Sequence, residues 1–220
     1  MKTESKPLKN YIFYDFVRIT AAISGLVVFR PKLVYENEAA KRRIRGGALL
    51  ISNHTGFFDP VHLMLSIWYR RHHFVCIKDL FEGNRLKHLL FRHFHCIPID
   101  RDNFSMASLR LITDELKAGH LVSMFPEGHV VPNGSLAPFK SGMVLLALQG
   151  KCPVVPVYIE PQKRFYKRLT VAVGEPIDLE ALYGPRPNLA HIDEAAAMLR
   201  EKELLLSTLC RKPDKHGKQK

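Results

Sequence analysis

Cysteine is scarce in this chain: Cys76, Cys96, Cys152 and Cys210 are the only four in 220 residues, and no two form a CxxC pair. That argues against a disulfide-stapled fold and a cysteine-built zinc site, and suits reduced thiols in a cytoplasmic setting. The N-terminus has no long uncharged run. Its longest, Ile19 to Phe29, has eleven residues, whereas a membrane-spanning helix needs about 20. Asp15 and Arg18 interrupt the segment and no small-residue cleavage site precedes Arg30-Pro31, so it is a poor signal peptide. Acidic residues are in deficit, 21 against 33 lysines and arginines, for a formal net charge of +12. A surface of that sign favours anionic partners such as lipid headgroups, nucleic acid, coenzyme phosphates or an acidic carrier protein. Nucleic acid is not expected, because the chain has neither zinc-finger spacing nor the aromatic string of an RNA-recognition motif. Internal repeats and low-complexity blocks are also missing.

What remains is a chain that is 46% hydrophobic, enough for one substantial core and a single main domain. Short apolar runs alternate with helical patterns, which predicts an α/β fold: a central mixed, mostly parallel sheet flanked by helices. Strands are expected near Ala48 to Ser52, Phe74 to Ile77, Cys96 to Ile99, His120 to Met124, Val154 to Ile159 and Leu169 to Val173. Helices are expected over Phe104 to Ala118, ending at Gly119 as the C′ residue, over Met143 to Gln149, and over Asp193 to Leu209. At the N-terminus, Ile12, Phe16, Ile19, Ile23 and Leu26 recur at steps of four and three on one helical face. With Arg30, Lys32 and the basic run from Lys41 to Arg45 beside it, this reads as an amphipathic helix lying on an anionic membrane surface. The alternative is a helix packed on the domain's own core. The expected organisation is a membrane-association segment over residues 1–32, a globular domain over 33–210 and a basic disordered tail over 211–220, with the protein peripheral on the cytoplasmic face of a membrane.

Two motifs follow predicted strands. Asn53-His54-Thr55-Gly56-Phe57-Phe58-Asp59 sets an imidazole and a carboxylate five residues apart. In a helix five residues turn through about 500°, leaving the two side chains roughly 140° apart, so contact needs a turn; Gly56 would permit it. One reading is a general base with an orienting acid. The other is a helix start, with Asp59 as N-cap, Pro60 at the first helical position and Val61 to Tyr69 as the helix. The second motif is Phe125-Pro126-Glu127-Gly128. His54, Arg101 and Glu127 each lie within a few residues of the carboxyl end of a predicted strand, the edge where open α/β sheets bind ligands. They would supply a base, a cation for a phosphate and a carboxylate for an acceptor hydroxyl.

With these blocks the chain resembles the glycerolipid acyltransferases, typified by 1-acyl-glycerol-3-phosphate acyltransferase. Over roughly residues 33–180, Asn53-His54 through Asp59 is similar to the family's NHx4D block, and Ile97-Pro98-Ile99-Asp100-Arg101 to its arginine-ending block. Phe125 to Gly128 resembles its FPEG block, and Val154 to Val157 its apolar fourth block. The resemblance implies His54 as base, Asp59 as its partner, and Arg101, Glu127 and Gly128 at the acceptor's glycerol phosphate. One departure stands out: His129-Val130-Val131 follows Gly128 where threonine or serine and then arginine are usual, removing a bidentate phosphate clamp. Lys140, ahead of Ser141-Gly142 at a predicted helix start, is a further candidate for the phosphate.

The expected reaction is transfer of a fatty acyl group from acyl-CoA or acyl carrier protein to the free hydroxyl of a lysophosphatidate-like acceptor, with no cofactor. Two alternatives stay open: another lysolipid acceptor, such as a lysophospholipid or an acylated amino acid, or a non-catalytic basic membrane-binding protein. No metal is expected either. The chain has eleven histidines, and at strand spacing His93 and His95 would share a face. But His72, His73, His93 and His95 sit among Arg70, Arg71 and Arg92 on what reads as an exposed basic surface, and no H-E-x-x-H string supports a site.

Overall fold

The computed structural model describes residues 11–81, 85–100, 105–131, 135–161 and 168–210. Seven strands form one sheet: β1 (Lys32–Tyr35), β2 (Ala48–Ser52), β3 (His72–Ile77), β4 (Ile97–Ile99), β5 (Leu121–Met124), β6 (Val154–Ile159) and β7 (Thr170–Val173). Their spatial order is β1-β7-β6-β2-β5-β3-β4. Every pairing is parallel except β6 with β7. The central strands are legible because they are buried on both faces. All five residues of β2 and all six of β6 are buried, and such strands read as continuous apolar runs. Along β2, Leu49 and Ile51 enter one core cluster and Ala48 and Leu50 the other.

Seven α-helices connect and cover the sheet: α1 (Ile12–Phe29), α2 (Asp59–Ser66), α3 (Arg85–His93), α4 (Met106–Lys117), α5 (Gly142–Gly150), α6 (Leu179–Tyr183) and α7 (Leu189–Cys210). Ser105 caps α4 by accepting the Ser108 amide, and Gly119 beyond its end has φ +87°, a left-handed conformation that glycine adopts without penalty. Helix α7 begins four residues before its expected start because the Asn188 side chain accepts the His191 amide, the role of an N-cap. Edge strand β1, in which Lys32 stands exposed, and the five-residue α6 are elements that the apolar periodicity did not reveal. The tail 211–220 lies outside the described residues.

Helix α1 has 18 residues and by length and composition is able to cross a membrane, although the uncharged run within it is shorter. One face is docked on the domain. Tyr14, 1% exposed, donates its hydroxyl to the carbonyl of His72 and accepts the His72 amide at 2.9 Å. Asp15 forms a two-point pair with Arg71, and Arg18 donates to the Trp68 carbonyl. Gly25 sits so close to Leu65 that a Cβ there would lie 2.9 Å from its methyl carbons. The opposite face leaves Ile12, Phe16, Ile19, Ile23 and Val27 exposed.

The histidines correct an expectation. His93 ends helix α3, and His95 lies in the following turn with φ +52°, so the two do not share a strand face. His72, His73 and His95 are 0%, 1% and 2% exposed, not part of an exposed basic surface, because β3 runs inside the sheet and α1 covers its start.

Candidate active site

Strands β2 and β5 are parallel neighbours, so the loops that leave their carboxyl ends emerge side by side. The first carries His54 and the second Glu127. Asn53 fixes the start of the first loop: its side chain donates to the Ile159 carbonyl at 2.9 Å and accepts the Ile159 amide at 2.7 Å, extending the pairing with β6 by a residue. The only signal for this in the sequence is a carboxamide directly after a buried strand.

The loop then folds around Asp59. One carboxylate oxygen, Oδ2, accepts His54 Nδ1 at 2.9 Å, the Thr55 amide at 2.5 Å and the Gly56 amide at 2.8 Å, while Oδ1 accepts the Thr55 hydroxyl. His62, one turn further along α2, places Nδ1 3.7 Å from Oδ1. Burial alone would raise the Asp59 pKa, but hydrogen bonds from His54, Gly56 and Thr55, with the imidazole of His62 nearby, outweigh it and hold the carboxyl far below the ordinary carboxylate range. Asp59 thus combines a contact with His54 and a place at a helix start. It stands at the start of α2 with Pro60 behind it, yet its carboxylate is turned back onto the loop and caps no amide of its own helix. The carboxylate, more than glycine, makes the turn: Gly56 has no positive φ, and a Cβ added there would meet nothing within 4 Å.

An ionised Asp59 only accepts, so His54 Nδ1 carries the proton of this hydrogen bond and Nε2 is turned away from the carboxylate. The ring stacks on Phe125 at 4.1 Å between centroids and 15° between planes, and its side chain is 20% exposed. It is thus an imidazole held in one orientation that solvent still reaches.

Glu127 joins the two loops from below. It is 3% exposed; Oε1 accepts the His54 amide at 3.0 Å and Oε2 the Ala137 amide at 2.9 Å. With both oxygens engaged by backbone, its geometry favours positioning His54 over the expected hydrogen bond to an acceptor hydroxyl. The departing segment closes the same knot: Val131 donates its amide to the His54 carbonyl at 2.7 Å, and His129 Nδ1 meets the Glu127 carbonyl at 2.9 Å. Gly128 has φ +72°, and a Cβ there would lie 3.1 Å from Cε and 3.4 Å from Nζ of Lys140. The glycine is needed both for the turn and for the lysine stem that crosses it. Lys140, exposed and tied by its amide to the Pro126 carbonyl, thereby sets an ammonium beside the motif. Arg101 lies outside the described residues; β4, which ends two positions before it, points to the same sheet edge.

Glu203 went unnoticed in the sequence, although a carboxylate on the buried stripe Ala196-Leu199-Glu203-Leu206 of α7 is the signal that would find it. It is 0% exposed, and neither oxygen has a hydrogen-bond partner. Burial, and then the nearby charge of Glu127, push its pKa well up, opposed by the Asn53 backbone. A carboxyl with a raised folded pKa gives full stability below the unfolded value of about 4.3 and loses it as pH climbs towards the folded value. Glu203→Gln is therefore expected to raise the melting temperature, with a gain that widens as pH rises above about 4.3. Thermal unfolding across that range checks it, and a pH-independent difference would contradict a buried neutral acid.

Comparisons with known proteins bear on the family and the fold. The sequence model of the acyltransferase family matches residues 32–160. The 1-acyl-sn-glycerol-3-phosphate acyltransferase of Bacillus subtilis is 30% identical over 60% of this chain and 67% of its own length. That of Limnanthes alba is 31% identical over 76% of this chain and 59% of its own. The crystal structure of the 1-acyl-sn-glycerophosphate acyltransferase of Thermotoga maritima superposes with a TM-score of 0.61 at 17% identity, covering 94% of this chain and 86% of that one, a likeness of fold. With a family match spanning more than half its residues, this chain belongs to the acyltransferase family.

Proposed function

We propose that the protein moves a fatty acyl group from a thioester carrier, coenzyme A or acyl carrier protein, to the free hydroxyl of 1-acyl-glycerol-3-phosphate, giving phosphatidic acid for phospholipid biosynthesis. The observation that carries this is the bond from His54 Nδ1 to Asp59, which leaves Nε2 to take a proton. The acceptor oxygen attacks the thioester carbonyl as its proton passes to Nε2. The tetrahedral intermediate then collapses with cleavage of the C–S bond, and the proton moves on to the departing thiolate. O–H and C–S bonds break, C–O and S–H bonds form, and the balance needs no cofactor. Asp59 orients the ring and stabilises its cation. Glu127 and Gly128 shape the rim on which the acceptor sits. Arg101 and Lys140 supply cations for its phosphate, the group that the arginine missing after Gly128 would otherwise hold. The names of the relatives support this acceptor.

Residues 1–32 serve membrane association, in keeping with the exposed apolar face of α1. Burying Ile12, Phe16, Ile19 and Ile23 in lipid gains about 1.5–3 kcal/mol each, and Phe57 and Phe58, 87% and 56% exposed beside His54, put the base at the same surface. On this reading the protein sits peripherally on the anionic cytoplasmic face, where its lipid acceptor resides.

An acceptor panel tests the reading. Carrier-thiol release from a long-chain acyl thioester is expected to be fast with lysophosphatidate, slow with lysophosphatidylcholine or an acylated amino acid, and near background with none. Preference for an acceptor without a terminal phosphate monoester would overturn the proposed substrate, and acceptor-independent release would mark a hydrolase.

A further inference from the structure

At the opposite edge of the sheet from His54, three side chains from distant segments converge. His73 is the second residue of β3, His120 immediately precedes β5, and Glu115 lies near the end of α4. A single oxygen, Glu115 Oε2, lies 3.0 Å from His73 Nδ1 and 2.7 Å from His120 Nδ1, and the three ligand atoms all fall within 4.8 Å of one another. We propose that His73, Glu115 and His120 form a structural site for a divalent transition-metal ion of the zinc class, a role for these residues contrary to the expectation from sequence that the chain holds no metal.

The donor set suits such an ion: two imidazoles and one carboxylate are ligands of borderline softness, and they leave room for a water or a further donor. A second observation is independent of that convergence. His73 Nδ1 is buried without a hydrogen bond, out of alignment with the carboxylate despite its distance, and Nε2 of neighbouring His95 is likewise buried and unbonded. Burying an unsatisfied polar atom is unfavourable, so two in one cluster call for something that pairs with imidazole nitrogen. The rings are already ordered: His73 stacks on His120 at 4.5 Å and on His95 at 5.2 Å. Entry is open from solvent, since the His120 side chain is 37% and that of Glu115 21% exposed.

The site would do no chemistry on the acyl group, being a strand length away from the base. It would tie the end of α4 to the starts of β3 and β5, and through ring contacts to α1. Tyr11, just before that helix, stacks on His95 at 4.1 Å and places its hydroxyl 3.5 Å from His73 Nε2. An ion on His73 Nδ1 would fix the ring to which Tyr11 is apposed and so steady the docking of the N-terminal helix.

The test uses the full-length protein without any affinity tag, titrated with Co2+ as a spectroscopic probe and back-titrated with Zn2+. One Co2+ per chain is expected to bind with the intense visible absorption of a four-coordinate site, and Zn2+ to displace it. His120→Ala, at a partly exposed position, and the shape-preserving Glu115→Gln are each expected to weaken binding by at least about 100-fold. The exposed control His191→Ala leaves it unchanged. A spectrum of octahedral Co2+, or wild-type affinity in both ligand variants, would overturn the proposal by placing the ion elsewhere or nowhere.

Discussion

His54→Ala is expected to lose acceptor-dependent acyl transfer by about 10^4-fold, the upper range for removal of a general base, while the domain stays folded. The second half of that expectation follows from what the substitution leaves in place. The backbone bonds that hold the loop, His54 amide to Glu127 and Val131 amide to the His54 carbonyl, do not involve the side chain. Asp59 keeps its amide donors from Thr55 and Gly56. What disappears is the ring stacked on Phe125 and its free nitrogen. Carrier-thiol release measured beside thermal unfolding separates the two effects. Turnover at the wild-type rate would remove His54 from the reaction, and a collapse of the fold would make the residue structural.

Asp59→Asn comes second, because one buried atom does two jobs. Oδ2 collects three N–H donors. A neutral amide oxygen in its place holds them less strongly and no longer faces the imidazolium that forms during attack. Turnover is expected to fall by about 10^3–10^4-fold, as when the acid of a Ser-His-Asp triad is neutralised. Stability should fall as well, by about 2 kcal/mol, the scale of a hydrogen bond to a charged group. The sign of its pH dependence is fixed by the depressed pKa of Asp59. The contribution of the carboxylate is fully present above the ordinary value of about 3.9 and is lost only as pH falls from there through the folded value. The stability gap between wild type and Asp59→Asn is therefore flat above about pH 5 and closes under acid. Denaturant melts at neutral and acid pH, run beside turnover, check both parts. A variant with full turnover would show that the charge is dispensable, and a gap that widens on acidification would contradict an ionised Asp59.

Much of the architecture was legible because the central strands lie between two layers of helices. A strand buried on both faces must be apolar throughout, so β2 and β6 match their expected ranges residue for residue. Edge strand β1 was illegible for the opposite reason: Lys32 is exposed, its other three residues are only half-buried, and its partner β7 lies more than 130 residues later. The N-terminal helix was legible as an element from its apolar periodicity. What Asp15 and Arg18 do within it was not, since each finds its partner on the domain as well as on the helix.

The sequence by itself determined the fold class, the order of the motif blocks and the pairing of residue types that acyl transfer requires, because these follow from local pattern and from chemistry carried on short segments. Tertiary structure alone decided what the side chains touch. The turn at Gly56 is made by the Asp59 carboxylate. Glu127 reaches the His54 amide across 73 positions only because β2 and β5 lie side by side. The histidines around His73, which read as a basic surface, are buried because β3 sits inside the sheet with Tyr14 of α1 over its start. Burial and contact are properties of which segments become neighbours, and that choice rests on the packing of the whole chain.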